Sequence, residues 1–470
     1  MVADPFLDRE QELSRMRERY EGSNAEFLII YGRRRVGKSE LIDQFLQNTE
    51  GIRLLAREEA KTLQLRRFSS QLARYFDDDL LRTTPFSDWD GFFEYLYTKS
   101  DQRCVIAIDE FPYLVKEDPS LPSVLQACWD LKLKNSSIYL IISGSSISMM
   151  ESMVMAYKSP LYGRRTGQYL LRPLRFTDIY HYIGDIRKAV EYYAVFGGTP
   201  TYILSADISG DIAVNIQEKI LNKDSVLFRD VEFVLRTELQ EPRYYFSILL
   251  AIANGNHRTG LIVNETGLSK GIVSKYLSIL RELDLVQKEV PVTESDKSRK
   301  SLYFLSDNLF TFWFRFVYPS VELLERGMNK VVLDHSIMPH FNAYVGKRFE
   351  NMILTLFWDL NGRGVLPLTF TKAGRWWHKG TEIDIIAISE SEKKILYCEC
   401  KWQDRVPGSK IIRELKEKAK KVPTAKKNYK EYYYVIARSF STGTSQIRDP
   451  DVLLIDSEAL DVMCKKVHET

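Results

Sequence analysis

Residues 32–39 read Gly-Arg-Arg-Arg-Val-Gly-Lys-Ser and complete the pattern G-x-x-x-x-G-K-[ST]. The flanks restrict the fold around them. Phe27-Leu-Ile-Ile-Tyr31 is a short apolar run of strand type, and Glu40-Leu-Ile-Asp-Gln-Phe45 has helical spacing. Strand, glycine loop and helix together demand an α/β unit with a phosphate-binding turn at a strand end. Gly32 and Gly37 let backbone N–H groups turn inward, and the helix start adds partial positive charge. The whole loop (Gly32, Arg33, Arg34, Arg35, Val36, Gly37, Lys38, Ser39) is therefore expected to wrap a nucleoside triphosphate. Lys38 would reach its β- and γ-phosphates, and Ser39 would ligate Mg²⁺.

Two further apolar runs suit the same sheet. Cys104-Val-Ile-Ala-Ile-Asp-Glu110 is continuously hydrophobic until its two final acids, as expected for a strand buried on both faces. Asp109 would hold the Mg²⁺ shell and Glu110 would polarise an attacking water. The plainer reading is a pair of acids capping a strand. Ser137-Ile-Tyr-Leu-Ile-Ile142 leads into Ser143-Gly-Ser-Ser146. There Ser145, with Ser143 next, is the candidate sensor of a γ-phosphate, unless the segment is a simple Ser/Gly turn. At the amino end, Phe6-Leu-Asp-Arg-Glu-Gln-Glu-Leu13 has a capping-box pattern, Asp8 followed by Gln11. The sharper reading places Phe6 near an adenine.

With 470 residues, roughly three domains are expected. A net charge of +3 gives no global field that would favour nucleic acid, so any basic site must be local. The five cysteines are odd in number and mostly apolar in setting, which suits free thiols in a reducing compartment. No apolar run approaches the ~20 residues of a membrane helix, and Met-Val-Ala-Asp-Pro is no signal peptide. A cytoplasmic protein without a membrane partner is expected.

These segments resemble the archaeal-type P-loop ATPases of the AAA+/STAND group. The resemblance rests on Phe-Leu-Asp-Arg-Glu, Tyr-Gly-Arg-Arg-Arg-Val-Gly-Lys-Ser, Ile-Asp-Glu-Phe-Pro and Ser-Gly-Ser-Ser, joined by Tyr162-Gly-Arg-Arg165 and Gly197-Gly-Thr-Pro200. It implies ATP as ligand and a helical lid carrying the Gly-x-Pro turn, with Pro200 near the nucleotide. It also implies that Arg164 or Arg165 contacts a γ-phosphate, in cis or from a neighbouring subunit. Ordinary surface ion pairs are the alternative for both arginines.

From Tyr244 the pattern changes. Tyr244–Ala253, Gly260–Gly267 and a helix capped by Ser269 precede a hairpin of Val286–Val290 and Ser301–Leu305. Helix, helix, helix, hairpin is a winged helix-turn-helix. It would read DNA through the Ser269 helix, or else serve as an internal packing module.

The carboxyl end carries a second constellation. Thr381-Glu-Ile-Asp-Ile-Ile-Ala-Ile388 and Lys394-Ile-Leu-Tyr-Cys-Glu-Cys-Lys401 flank a polar turn. Paired with Ile388 opposite Ile395, they place Asp384 opposite Glu399 and Glu382 opposite Lys401 on one face. The other face is apolar and would be the buried one. Like charges directly opposite destabilise a plain sheet by roughly 0.2–1 kcal/mol, and a divalent cation would reverse that. The spacing resembles the PD-(D/E)-x-K nuclease core, although Gly380-Thr-Glu-Ile-Asp lacks the proline. The resemblance implies Asp384, Glu399 and a helix glutamate, Glu350, as Mg²⁺ ligands, with Lys401 positioning the water. Eleven Lys/Arg against three Asp/Glu between residues 401 and 430 favour a polyanion, with a solvated basic helix over Ile411–Lys421 as the plainer reading. Trp376, Trp377 and His378 could stack on bases, although buried packing is the preferred role for the tryptophans.

The expected architecture is α/β: a P-loop parallel sheet (1–175), a helical lid (176–240), a winged helix-turn-helix (241–320), a helical connector (321–345) and a nuclease-like α/β domain (346–470). The expected function is a Mg²⁺-dependent ATPase coupled to a DNA- or RNA-directed terminal domain, with cleavage conditional. A non-catalytic STAND-type switch and a homo-oligomeric remodelling ATPase are the rivals.

Overall fold

The computed structural model describes residues 6–239, 242–423, 428–441 and 449–467. The chain divides into two compact units, Met1–Pro173 and Leu174–Thr470.

In the first unit β1 (Glu26–Tyr31), β2 (Gly51–Leu55), β3 (Cys104–Asp109), β4 (Ile138–Gly144) and β5 (Gly167–Leu170) form an all-parallel sheet in the order β2-β3-β4-β1-β5. Alternation along each strand divides the side chains between two cores. Phe27, Ile29, Ile106, Ile108, Leu140 and Ile142 pack on one side. Leu28, Ile30, Val105, Ala107, Tyr139 and Ile141 pack on the other. Crossover helices cover both faces of such a sheet, which is why its strands read as unbroken apolar runs. Each buried aliphatic side chain contributes about 1.5–3 kcal/mol, so this sheet is a rigid frame. Because the strands are parallel, the turn after Tyr31, the acids after Ile108 and the serines ending β4 all emerge at one edge.

In the second unit a helical stretch precedes the winged helix. The helices Pro242–Ala253, Thr259–Thr266 and Lys270–Glu282 are followed by the antiparallel ribbon β6 (Val286–Glu289) and β7 (Leu302–Leu305). Gly267, at φ +66, ends the second helix, and the Ser269 hydroxyl accepts from the Ile272 N–H at 3.4 Å to start the third. The last sheet runs β12-β11-β10-β9-β8 with β8 (Lys372–His378), β9 (Thr381–Ser389), β10 (Lys394–Lys401), β11 (Lys430–Ala437) and β12 (Val452–Ile455). β8, β9 and β10 are antiparallel; β10, β11 and β12 are parallel. Ile388 pairs with Ile395, the register counted from the turn.

Three expectations are corrected. The first helix spans Glu10–Glu21 with Arg9, not Asp8, at its N-cap, and Asp8 accepts only from the Glu10 N–H at 3.3 Å. Arg9 is pulled inward, donating to the carbonyls of Val36 (3.1 Å) and Arg172 (2.7 Å). The long helix starts at Met338, inside the expected connector of 321–345, with a proline in its first turn, where no N–H is missed. The last sheet is covered on both faces. The Gly408–Ala419 helix packs Ile412 and Leu415 against Ile386, Ile388, Ile395 and Tyr397 on the acid-bearing face. Phe357 of the Met338–Leu360 helix meets Tyr434 on the other. Only one end of that face is acidic, and its apolar half requires cover. No described helix is long and apolar enough to cross a membrane.

One glycine is fixed by close approach. A Cβ on Gly198 would lie 1.8 Å from the Leu174 carbonyl oxygen, beside the 2.7 Å bond from Leu174 N–H to Gly198 O. On Gly346, inside the long helix, it would meet the Trp402 Cβ at 3.9 Å. Thermal melts should therefore show Gly198→Ala losing about 3 kcal/mol or more, and Gly346→Ala unchanged or gaining up to about 1 kcal/mol.

Candidate functional site

Backbone geometry requires both glycines of the loop after β1. Gly37 sits at φ +90 at the helix N-cap, and a Cβ on Gly32 would fall 2.3 Å from the Leu171 carbonyl oxygen. Lys38 is buried, its Nζ donating to the carbonyls of Gly32 and Arg33 at 2.9 Å each, so the ammonium lies along the inside of the loop. Arg33 and Val36 are buried, Arg35 takes φ +69, and Arg34 donates to the Tyr113 hydroxyl at 3.0 Å. Glycine geometry, a helix N-terminus and one ammonium fit a triphosphate.

Asp109 gathers the opposite wall. It is 1% exposed. Its Oδ2 accepts from Ser39 Oγ at 2.7 Å and Arg53 Nη1 at 3.1 Å. Its Oδ1 accepts from Ser143 Oγ and from the Glu110 N–H at 3.1 Å. Arg53 also clamps both oxygens of Asp43, at 2.6 and 2.8 Å. Burial pulls its guanidinium down, but the Asp43 and Asp109 carboxylates outweigh this and hold it above its usual value. Glu110 takes left-handed backbone, φ 57 and ψ 41, and its Oε2 accepts from the N–H (3.1 Å) and hydroxyl (2.9 Å) of Ser145. The two serines read from sequence as phosphate sensors thus each hold one acid.

The other first-unit candidates stand apart from this cluster of contacts. Arg164 grips both oxygens of Asp130, at 2.8–3.2 Å. Arg165 lies over the Tyr162 ring, 5.9 Å from its centroid. Phe6 packs on the core cluster that contains Leu13 and Leu28. Pro200 belongs to the second unit, opening the helix Pro200–Leu204 behind Thr199, whose hydroxyl donates to Asp307 at 3.2 Å.

At the end of β9 and β10 four carboxylates meet four cations. Oxygens of Glu350, Glu382 and Asp384 lie within 4.8 Å of one another. Lys401 Nζ donates to Glu399 Oε2 at 2.8 Å and approaches Asp384 Oδ2 at 3.4 Å. Lys418 takes the other Glu399 oxygen at 2.6 Å. Arg375 on β8 binds Glu350 at 2.6 Å and lies 3.3 Å from Glu382 and 3.5 Å from Glu289 of β6. Lys347 is 3.2 Å from Glu350. The expected trio of Asp384, Glu399 and Glu350 is therefore differently arranged: Glu382 joins Asp384 and Glu350, while Glu399 is turned to lysines. Burial, then the Asp384 charge, push the Glu350 and Glu399 carboxyls above their usual range. Burial pulls Lys401 down, but Asp384 and Glu399 outweigh it and hold it raised. Three hard oxygen donors of this kind fit Mg²⁺ or Mn²⁺.

Sequence reasoning missed Arg53, Arg375 and Lys418. Their acidic partners include residues 10 to 86 positions away. Only the apolar runs around Arg53 and Arg375 hinted that a charge there needs a partner.

On the winged helix, Lys270, Ser274, Lys275, Ser278 and Arg281 are exposed, while Val273, Leu277 and Leu280 are buried. The wing is engaged internally: the Val292 N–H donates to the Arg375 carbonyl at 3.0 Å. The basic run after residue 401 is described except for 424–427, so Lys426 and Lys427 lie outside the described residues.

Residues 6–205 match a family described as an ATPase domain predominantly from Archaea. Residues 247–288 match the arsR family of bacterial regulatory proteins, and 313–422 match archaeal and bacterial proteins of unknown function. The uncharacterized protein MJECL04 of Methanocaldococcus jannaschii is 36% identical over 96% of this chain and 99% of its own. A second protein of that organism, MJ1637, is 22% identical over 60% of each chain. The Walker-type ATPase PABY2304 of Pyrococcus abyssi shares the fold, with TM-score 0.50 and 20% identity, over 67% of this chain and 97% of that one.

A carboxyl whose pKa is raised must lose its proton before it binds a cation, so protons and metal compete. Mn²⁺ titrations should show affinity weakening as pH falls, because the raised Glu350 carboxyl takes up its proton first, and Glu350→Gln should remove most of that pH dependence.

Proposed function

Because this chain belongs to the family of the Methanocaldococcus jannaschii protein MJECL04 and joins an archaeal ATPase domain to an arsR-type helix-turn-helix motif, we propose that it hydrolyses ATP and uses nucleotide state to control a nucleic-acid-directed second unit. One observation carries the reading. Ser39 and Asp109, from the glycine loop and the far strand, are 2.7 Å apart, with Glu110 held beside them by Ser145. This is the residue set that positions phosphates and water in nucleotide hydrolysis.

Bound ATP with Mg²⁺ supplies the scissile phosphoanhydride and the charge that the loop is shaped to meet. Lys38 offsets negative charge on the phosphates, and the N–H groups from Gly32 to Gly37 fix their orientation. Ser39 and Asp109 are the candidate metal ligands. Glu110 Oε2 is the candidate proton acceptor for water; Ser145 orients it and Ser143 orients Asp109. Arg53 gives the buried Asp109 a charged partner at 3.1 Å. Arg164, held by Asp130, would have to exchange that partner to reach a phosphate.

The exposed cations Lys270, Lys275 and Arg281 support duplex binding by the third helix of the winged domain. A second reading, phosphodiester cleavage by the terminal domain, is favoured by Lys401 lying between Asp384 and Glu399.

ATP turnover should fall at least roughly a hundredfold in Lys38→Ala and in Glu110→Gln, while tight ATP binding survives only in Glu110→Gln. Wild-type turnover indistinguishable from Lys38→Ala would return the protein to a non-hydrolysing switch. Replacing Lys270, Lys275 and Arg281 by Gln should lower the salt slope of duplex DNA binding by about 2–3.

A further inference from the structure

The second unit holds a cavity of about 450 Å³ between the winged helix and the Met338–Leu360 helix. That size admits a small ligand and excludes a duplex. One wall is apolar, built from Ile252, Leu302 and Phe304. The rim is cationic: Arg315, Lys347, Arg348 and Arg375 face a single carboxylate, Glu382.

Two of these cations are already paired. Arg375 binds Glu350, and Lys347 lies 3.2 Å from the same carboxylate. Arg315, on the turn Trp313–Val317, and Arg348 form no salt bridge among the described residues. Arg348 Nε is buried without a hydrogen-bond partner among them. Burial pulls the Arg348 guanidinium below its usual value, and the nearby Glu350 and Glu289 carboxylates only partly oppose this. A guanidinium nitrogen buried without a hydrogen-bond partner, on a side chain that forms no salt bridge, is costly to keep. Its planar fork suits a phosphate better than any other common anion in a nucleic-acid context.

The rest of the lining is complementary to a base. The His257 ring lies 4.3 Å from that of Phe304, centroid to centroid. Burial lowers the His257 pKa to about 4, so at neutral pH it adds an uncharged aromatic surface rather than a fifth cation. Glu382 belongs both to this lining and to the Glu350–Asp384 oxygen set. The cavity therefore opens beside the carboxylates.

We propose that this cavity binds one nucleotide unit, its phosphate on Arg315 and Arg348 and its base against Phe304 and His257, at the entrance to the carboxylate cluster. The inference rests on the nucleic-acid-directed reading of the second unit and names its substrate class: the terminal nucleotide of a single strand. A free mononucleotide offers the same chemistry from another source.

The test uses full-length Lys38→Ala protein, so that the amino-terminal loop does not compete. It is titrated with a 5′-phosphorylated single-stranded oligonucleotide, the same strand with 5′-hydroxyl, deoxyadenosine monophosphate, and blunt duplex DNA. Binding of the phosphorylated strand should weaken at least roughly tenfold in Arg315→Gln and in Arg348→Met, and Arg348→Lys should recover part of it. Thermal melts establish folding; Arg315 is exposed, so its variant serves if Arg348→Met does not fold. Tighter binding of the phosphorylated strand than of the mononucleotide assigns a strand end. If only the mononucleotide binds and depends on Arg315, the cavity stands and the nucleic-acid reading falls. If duplex binding persists while neither single strand nor mononucleotide responds to Arg315→Gln, the cavity assignment is overturned and the nucleic-acid reading stands.

Discussion

Asp109 is the point on which the first unit depends. A carboxylate buried to this degree is tolerable only when several donors meet it. Here those donors come from separate segments: Ser39 from the first helix after the loop, Ser143 from β4, and Arg53 from β2. The parallel sheet brings these strand ends to one edge, and the buried charge then holds them in register. Fold and site are consequently the same arrangement. The apolar alternation that closes two cores also sets the separation between the glycine loop and the acids.

The second unit solves a related problem differently. Its acids are gathered at one end of a sheet whose remaining surface is apolar and covered. Glu350, Asp384 and Glu399 are buried, and Arg375, Lys401 and Lys418 lie among them. The charges nearly balance within the protein, so a cation arriving there would displace an existing partner rather than fill a bare anionic hole. This gives the cluster a sensitivity to pH and to ionic partners that a simple carboxylate cage would lack.

Much of this was legible in the residues. The loop, its strand and helix, Asp109, Glu110 and the β9–β10 register follow from local pattern, because each is set by neighbours a few positions away. The winged helix was legible for the same reason, down to Ser269 and Gly267. What was hidden is long-range pairing. Arg53 gives no sign in Gly-Ile-Arg-Leu-Leu that Asp109 lies 56 residues on. Glu399 and Lys418 are joined only once a helix crosses the sheet face. The Asp8 pattern misled because Arg9, which donates to the carbonyls of Val36 and Arg172, takes the N-cap position instead. The one-sided sheet was misjudged because Ile386, Ile388, Ile395 and Tyr397 share the acids' face, and periodicity of two does not reveal that a face changes character along its length.

The wing's attachment to β8 has a mechanical meaning. Arg375 is hydrogen-bonded to Val292 through its main chain and to Glu350 through its guanidinium. The winged helix and the acidic end of the sheet are thereby joined through Arg375. Any change in the spacing between the hairpin and those acids would require prising the hairpin from its seat on Arg375.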